Sequence, residues 1–510
     1  MTSMRILAAA SLSCAVGALM SASSLTAASP CENLAKVGWP STTITLAAAV
    51  DTGAFVPPGS ARSDMFRSLP AFCRVAATLK PSPDSDIKIE VWLPASGWNG
   101  KFMAVGNGAF SGAIGYSAMA TNLARGYAVS STDTGHEGGS ASFALGHQEK
   151  LIDFGWRAVH EMTAAAKKIA TAYYGDVPKV SYWNGCSAGG RQAMKEAQRF
   201  PDDFDGIIAG APALDWTSRA AQAVRVENQL QKNEAARLLR PQRELLHRAV
   251  LDACDAIDGV KDGLIADPDR CTFDPSVLQC KTSESGTTGC LTPEQVDTAR
   301  FIYASPKNPK TGRPITGLAR GSELGWTDAG WTASARATGL DQFRFIVFRN
   351  PKWEVADFNF DSDIVRAEEA DADTINALDP NLKPFLDRGG RLIQYHGWSD
   401  PQISPGNSTQ YYGRVLEKLG DKSKVDASYR LFMVPGMAHC GGGEGPNTFD
   451  MVAALERWVE NGSAPDRIIA THSTNGKPDR TRPLCPYPQI AAYKGAGDMD
   501  DAANFVCRVQ

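Results

Sequence analysis

Short apolar runs, each broken off by glycine or proline, recur along the chain at 87–94 (IKIEVWLP), 101–108 (KFMAVGNG), 127–135 (YAVSSTDTG), 391–397 (RLIQYHG) and 429–436 (YRLFMVPG). Continuous runs of this length bounded by turn residues predict buried strands. A different period occupies 151–175, where apolar positions return every third or fourth residue until Gly175. That spacing predicts a helix with a glycine stop. Strands alternating with helices predict an α/β fold with a mostly parallel sheet.

The alternation lapses from about Leu214 to about Asp379, where four cysteines, an acidic loop and many aromatics follow one another irregularly, and it resumes near Gly389. The expected organisation is one α/β domain in two parts, 29–213 and 380–510, with 214–379 inserted between them. No internal repeat or low-complexity tract interrupts this plan, and 281–290 reads as a short polar loop. The first 28 residues hold one arginine, a short apolar stretch and then small residues. They read as a secretory signal peptide cleaved somewhere near Ala22 to Ala28. A lipid anchor on Cys14 fits poorly, because Ser11 and Leu12 do not suit an attachment box. No later stretch reaches the roughly 18 apolar residues that a membrane span needs.

Composition narrows the partners. Of 510 residues 43% are hydrophobic and 21% charged, an ordinary globular balance, and the net charge of −4 lacks the basic excess that nucleic acid or an anionic membrane would require. Beyond the signal stand ten cysteines, an even number that in an exported chain points to five disulfides and to a secreted or periplasmic location. No CxxC pair is present, which argues against a zinc ribbon or a thioredoxin-type site.

The candidate chemistry centres on Gly185, Cys186, Ser187, Ala188 and Gly189, a Gly-x-Ser-x-Gly pattern between a strand-like KVSYWNG and a helix-like GGRQAMKEAQRF. Small neighbours let a serine adopt a strained turn and project its hydroxyl; a glycine-rich turn used only for packing would look the same. A nucleophilic serine needs a base and the base an orienting acid, in the chain order Ser, Asp, His for α/β-hydrolases. Asp400 follows the run 391–397 and His439 follows 429–436, both at strand ends. Asp400 before Pro401 is also a common turn pair. Among competing bases, His136 precedes the serine and breaks the order, while His396 lies inside a strand and reads as core. Cys186 precedes the serine and Cys440 follows the histidine, so a disulfide between them would hold the two catalytic loops together. Cys186 could instead pair elsewhere or stay reduced.

The motifs GCSAGG, SDP and AHCGGG, with QRFPDDFDGIIAGAPALDW at 198–216, resemble the tannase and feruloyl esterase family over essentially the whole mature chain. The resemblance implies an α/β-hydrolase fold with a large inserted lid domain and hydrolysis of aromatic-acid esters by Ser187 as nucleophile, His439 as base and Asp400 as orienting acid. It also implies the disulfides Cys31–Cys73, Cys186–Cys440, Cys254–Cys271, Cys280–Cys290 and Cys485–Cys507. Oxyanion stabilisation would come from the N–H groups of Ala188 and of Gly108 in VGNGAFSG. A terephthalate-monoester hydrolase of the same family carries glutamate where this chain has Ala188, which weakens that identity.

The acidic loop 254–271 holds Asp255, Asp258 and Asp262, hard oxygen ligands suited to calcium, although the spacing is not that of an EF-hand and the residues alone equally describe a solvated turn. The resemblance implies structural calcium bound by these side chains and by the carbonyls of Val260 and Leu264, and no organic cofactor. Within the insertion Trp326, Trp331, Phe343, Phe345, Phe348, Trp353, Phe358 and Phe360 are candidates for a flat aromatic slot, most of them expected in the lid core. Arg336, Arg344 and Arg349 are candidates to hold a carboxylate. The expected activity is therefore a secreted serine esterase acting on feruloyl or other hydroxycinnamoyl esters, with galloyl esters and mono(2-hydroxyethyl) terephthalate as alternative substrates. A non-catalytic secreted binding module and an acyltransferase are the readings from other classes.

Overall fold

A computed structural model of the chain describes residues 1, 29–59, 63–281, 289–328 and 330–509. The expected signal segment lies outside the described residues, Met1 excepted. Nine strands form one sheet: β1 (Thr42–Val50), β2 (Phe72–Leu79), β3 (Ile87–Pro94), β4 (Lys101–Val105), β5 (Ala128–Thr132), β6 (Val180–Cys186), β7 (Gly206–Gly210), β8 (Arg391–Gly397) and β9 (Tyr429–Val434). Their spatial order is β1-β2-β3-β5-β4-β6-β7-β8-β9. Pairings from β5 through β4 to β9 are parallel, and β1, β2, β3 and β5 pair antiparallel. This is the mostly parallel α/β sheet that the alternating strands and helices predict, and the α/β-hydrolase plan that the resemblance implies.

The central strands are apolar on both faces because both faces are covered. Phe102, Ala104, Ile207, Leu392 and Leu431 pack under the helices Ala158–Tyr174, Ala188–Arg199 and Gly406–Leu419. Their immediate neighbours Met103, Val105, Ile208, Ile393 and Phe432 face Tyr116–Leu123 and Met451–Asn461 instead. Successive side chains thus alternate between two cores, as the period of a strand requires.

Three strands predicted from sequence end earlier than the apolar runs suggest. β4 stops at Val105, β5 at Thr132 and β9 at Val434. The residues beyond them become loops on the side of the sheet where the strands' carboxyl ends lie. The predicted helix 151–175 is in two pieces, Gln148–Ile152 and Ala158–Tyr174, joined by a π-turn at Asp153–Arg157. Its stop is as expected, with Gly175 at φ 75°. Gly155 in the π-turn approaches Thr374 so closely that a Cβ there would lie 2.5 Å from the Thr374 carbonyl oxygen.

Between β7 and β8 the described residues add no strand to the sheet. They form instead the helices Trp216–Lys232, Arg240–Cys254, Pro293–Tyr303, Ala333–Asp341 and Phe360–Asp371. These build two apolar clusters of their own, one around Leu246, Val296, Trp326 and Trp331 and one around Phe343, Trp353, Phe358 and Ile364. All five disulfides are formed in the pairing that the resemblance implies.

Candidate active site

Ser187 sits where β6 turns sharply into the helix Ala188–Arg199, with φ 65° and ψ −121°. A side chain at positive φ is strained, and only a backbone packed tightly on every side holds it there. The glycines supply that packing. A Cβ on Gly185 would lie 2.6 Å from the Gly189 carbonyl oxygen, on Gly106 2.5 Å from the Gly189 Cα, and on Gly190 2.2 Å from the Gly210 carbonyl oxygen. The Ser187 N–H donates to Gly210 O at 2.9 Å, pinning the turn to the end of β7.

His439 follows β9 in a loop, and its Nδ1 lies 2.6 Å from Asp400 Oδ2. Asp400 is fully buried just beyond β8, and its other oxygen accepts the N–H groups of Gln402 at 2.7 Å and Ile403 at 3.0 Å. Burial would raise the Asp400 pKa, but His439 and His396 outweigh it and hold the carboxyl well below the usual range. His396 is buried, as its place in a strand implies, yet it is also a partner of the acid, with Nε2 3.1 Å from Asp400 Oδ2. His136 is committed elsewhere: its Nε2 faces Phe110 O at 2.8 Å and its ring stacks on Phe143.

Ser187 and His439 line the same cavity of about 340 Å³, with Gly108, Ala109, Cys186, Ala213, Trp216, Arg219, Ser334, Gln402, Ile403 and Cys440. The disulfide Cys186–Cys440 joins the two loops, Cα to Cα 6.0 Å, across 254 residues of chain. Ala188 is the first residue of its helix, so its N–H has no intrahelical acceptor and the helix dipole points there. Gly108 comes from the loop after β4, which is braced by Gly189 N–H to Asn107 O at 2.8 Å and by Asn107 N–H to Gln192 Oε1 at 3.1 Å. Ala188 thus follows the serine directly, and Gly108 lines the same cavity as Ser187.

None of the eight aromatics singled out in the insertion lines this cavity. Trp326, Trp331, Phe343, Trp353 and Phe358 are buried in the inserted segment's own cores, Phe348 and Phe360 pack against one of these, and Phe345 packs against a core shared with Phe110 and Phe154. The aromatic wall is Trp216, at the start of the first inserted helix. Nor do the three candidate arginines line the cavity: Arg336 pairs with Glu227, Arg344 donates to Trp353 O, and Arg349 lies outside the lining. The cation at the cavity is Arg219, one helical turn beyond Trp216, which donates to Gln402 O at 3.1 Å and Thr338 Oγ1 at 2.8 Å. Burial lowers its pKa to about 10, partly offset by Asp400. Both residues follow the carboxyl end of β7, the sheet edge where α/β folds bind ligands.

Asp255, Asp258 and Asp262 share a loop closed by Cys254–Cys271. Asp258 accepts from Val260 N–H at 3.0 Å, Asp262 from Leu264 N–H at 3.1 Å, and Asp255 from Asp262 N–H at 3.1 Å and Gly263 N–H at 2.9 Å. Burial first, then the neighbouring carboxylates, raise Asp258 to about 6; Asp262 is also raised by burial although Arg482 Nη2 lies 2.5 Å from it. Neighbouring carboxylates that repel one another in a partly dry loop are a hard-oxygen donor set of the kind that suits a divalent cation.

A family model described as tannase and feruloyl esterase matches residues 73–508. The chain is 38% identical to an uncharacterized esterase of Xanthomonas campestris pv. campestris, over 97% of this chain and 93% of that one. It is 33% identical to a probable feruloyl esterase B-1 of Aspergillus oryzae, over 87% and 85% of the two chains. The crystal structure of feruloyl esterase B from Aspergillus oryzae superposes with a TM-score of 0.88 at 31% identity, covering 94% of this chain and 99% of that one. Tannin acyl hydrolase from Aspergillus niger shares the fold, with a TM-score of 0.77 at 22% identity over 95% and 94% of the chains.

Proposed function

The chain belongs to the tannase and feruloyl esterase family, and from that premise we propose that it is an exported serine esterase that hydrolyses esters of aromatic acids, feruloyl or other hydroxycinnamoyl esters first among them. The observation that carries the reading is the strained Ser187 sharing a cavity with His439, whose Nδ1 is held 2.6 Å from a buried Asp400.

In this reading Ser187 Oγ attacks the ester carbonyl carbon and passes its proton to His439 Nε2, while Nδ1–H donates to Asp400. The oxyanion accepts hydrogen bonds from the N–H groups of Ala188 and Gly108. Collapse breaks the bond to the alcohol oxygen, which leaves with the proton from Nε2. Water, deprotonated by the same nitrogen, then releases the aromatic acid and restores Ser187. Trp216 offers a face for the aromatic ring of the acid, and the inserted helices act as the lid that carries it. Export rests on the signal-like leader together with five disulfides. Calcium held by Asp255, Asp258, Asp262 and the carbonyls of Val260 and Leu264 would neutralise their repulsion and brace the lid.

The test is turnover of methyl ferulate, methyl gallate and mono(2-hydroxyethyl) terephthalate by purified protein beside Ser187→Ala. Hydrolysis of methyl ferulate is expected, with kcat falling by about 10⁴ or more in the variant. Folded, calcium-supplied protein that turns over none of the three would refute an esterase and favour a binding module.

A further inference from the structure

Ahead of the amino end of β7, two helices and a turn bring three potential ligands together. His160 comes from Ala158–Tyr174, Glu196 from the last turn of the serine's own helix Ala188–Arg199, and Asp203 from the turn leading into β7. One ligand atom from each, a ring nitrogen and two carboxylate oxygens, lies within 4.8 Å of the other two. Glu196 is 1% exposed, and neither of its oxygens accepts a hydrogen bond from a described residue. Burying an unpaired carboxylate costs several kcal/mol, so a group in that state needs a proton or a cation. Burial, and after it the Asp203 carboxylate, push the Glu196 pKa well above the ordinary value.

The geometry points to a divalent transition-metal site, with zinc the best-matched ion, formed by His160, Glu196 and Asp203 and clamping the serine's helix to its neighbour. Three protein ligands of mixed nitrogen and oxygen type suit zinc with water completing the shell. Three atoms each about 2.1 Å from one tetrahedral ion lie about 3.4 Å apart, so no separation in the cluster must close by more than about 1.4 Å. One pair is already close, with His160 Nδ1 2.7 Å from Asp203 Oδ2. The ring is also oriented beforehand by stacking on Phe200, centroids 3.9 Å apart. Lys167 binds the backbone carbonyl of Asp203 and leaves both carboxylates for the ion. A third of the His160 side chain is exposed, which gives the ion a way in.

Calcium-loaded wild type, Glu196→Gln and His160→Asn are titrated with zinc chloride by calorimetry, with unfolding midpoints recorded at each addition. Zinc that happens to bind at His439 or elsewhere is common to all three proteins and cancels. Wild type is expected to take up one more equivalent than either variant, and only its midpoint should rise with zinc. Equal uptake in all three, with Glu196→Gln as stable as wild type, would overturn the site and assign the cluster to a proton shared between the two carboxyls. Should Glu196→Gln fail to fold, the partly exposed His160→Asn decides the same question.

Discussion

Oδ2 of Asp400 serves two imidazoles, His439 Nδ1 at 2.6 Å and His396 Nε2 at 3.1 Å, while Oδ1 takes two backbone N–H groups. His396 Nδ1 faces Ser408 Oγ at 2.7 Å, and its Nε2 also faces the Ile403 carbonyl oxygen, so Nε2 carries the hydrogen. Removing the charge by Asp400→Asn should lower kcat by about 10⁴, whereas His396→Asn, which deletes one donor to a charged group, should cost about 10- to 100-fold with KM unchanged. Steady-state kinetics on one ester separate the two. Because folding depresses the Asp400 pKa, its stabilising contribution is complete above the unfolded value of about 4 and is lost as pH falls below it. Acid unfolding followed by circular dichroism should begin at higher pH in His396→Asn. Ser187, Asp400 and His439 stand out in the sequence as candidates because each follows a strand and their order matches the hydrolase plan. Trp216 and Arg219 do not, since nothing in a helical stretch tells which turn will face a cavity built by Gln402 and Ile403, nearly two hundred residues on.

Elements meet at His247. On the inserted helix Arg240–Cys254, its ring bridges the buried Glu323 at 2.8 Å and Glu444 at 2.8 Å, the latter in the loop that carries His439. Burial works against its charge, but the two carboxylates win and raise its pKa to about 9. Raised on folding, that pKa makes the tie strongest below about pH 6.5, and the tie is lost as pH climbs through about 9. Wild type should therefore show a fall in unfolding midpoint between pH 7 and 9.5 that is much smaller in His247→Gln, and faster amide exchange in the His439 loop at the upper end. Glu444 is 53% exposed, so salt should weaken this link more than the buried one to Glu323. No sequence signal marks this bridge, which joins residues far apart in the chain. Strand and helix signals fared better: β3 and β8 have the predicted bounds, while β7 (GIIAG) escaped notice because a five-residue run with glycine at both ends, set among turn signals, carries no period. β1, at the sheet edge and largely exposed, and β2, mostly buried between β1 and β3, escaped because TTITLAAAV and FCRVAATL hold neither a clean alternation nor a continuous apolar run.

For the whole molecule, the stability of the inserted segment should depend on calcium. Adding the ion at about 100 times its Kd contributes roughly 2.7 kcal/mol to stability, read as a rise in unfolding midpoint, and Asp258→Asn should lose most of that response. The mostly parallel sheet and the interruption between β7 and β8 could be read from where the strand and helix rhythm stops and resumes, but the inserted helices' packing could not, because buried aromatics at irregular spacing fit many arrangements. The cross-link between Cys186 and Cys440 also bears on how the chain matures. Taken in order of emergence from Cys31 onward, the cysteines of four disulfides join the next cysteine along, but Cys186 must pass over Cys254, Cys271, Cys280 and Cys290 to reach Cys440. Oxidation that pairs neighbours as they appear would join Cys186 to Cys254 and leave an inert product. The bond that holds serine beside histidine is thus the one that depends on delayed pairing or on reshuffling, so the yield of active enzyme should follow the disulfide isomerase available to the maturing chain.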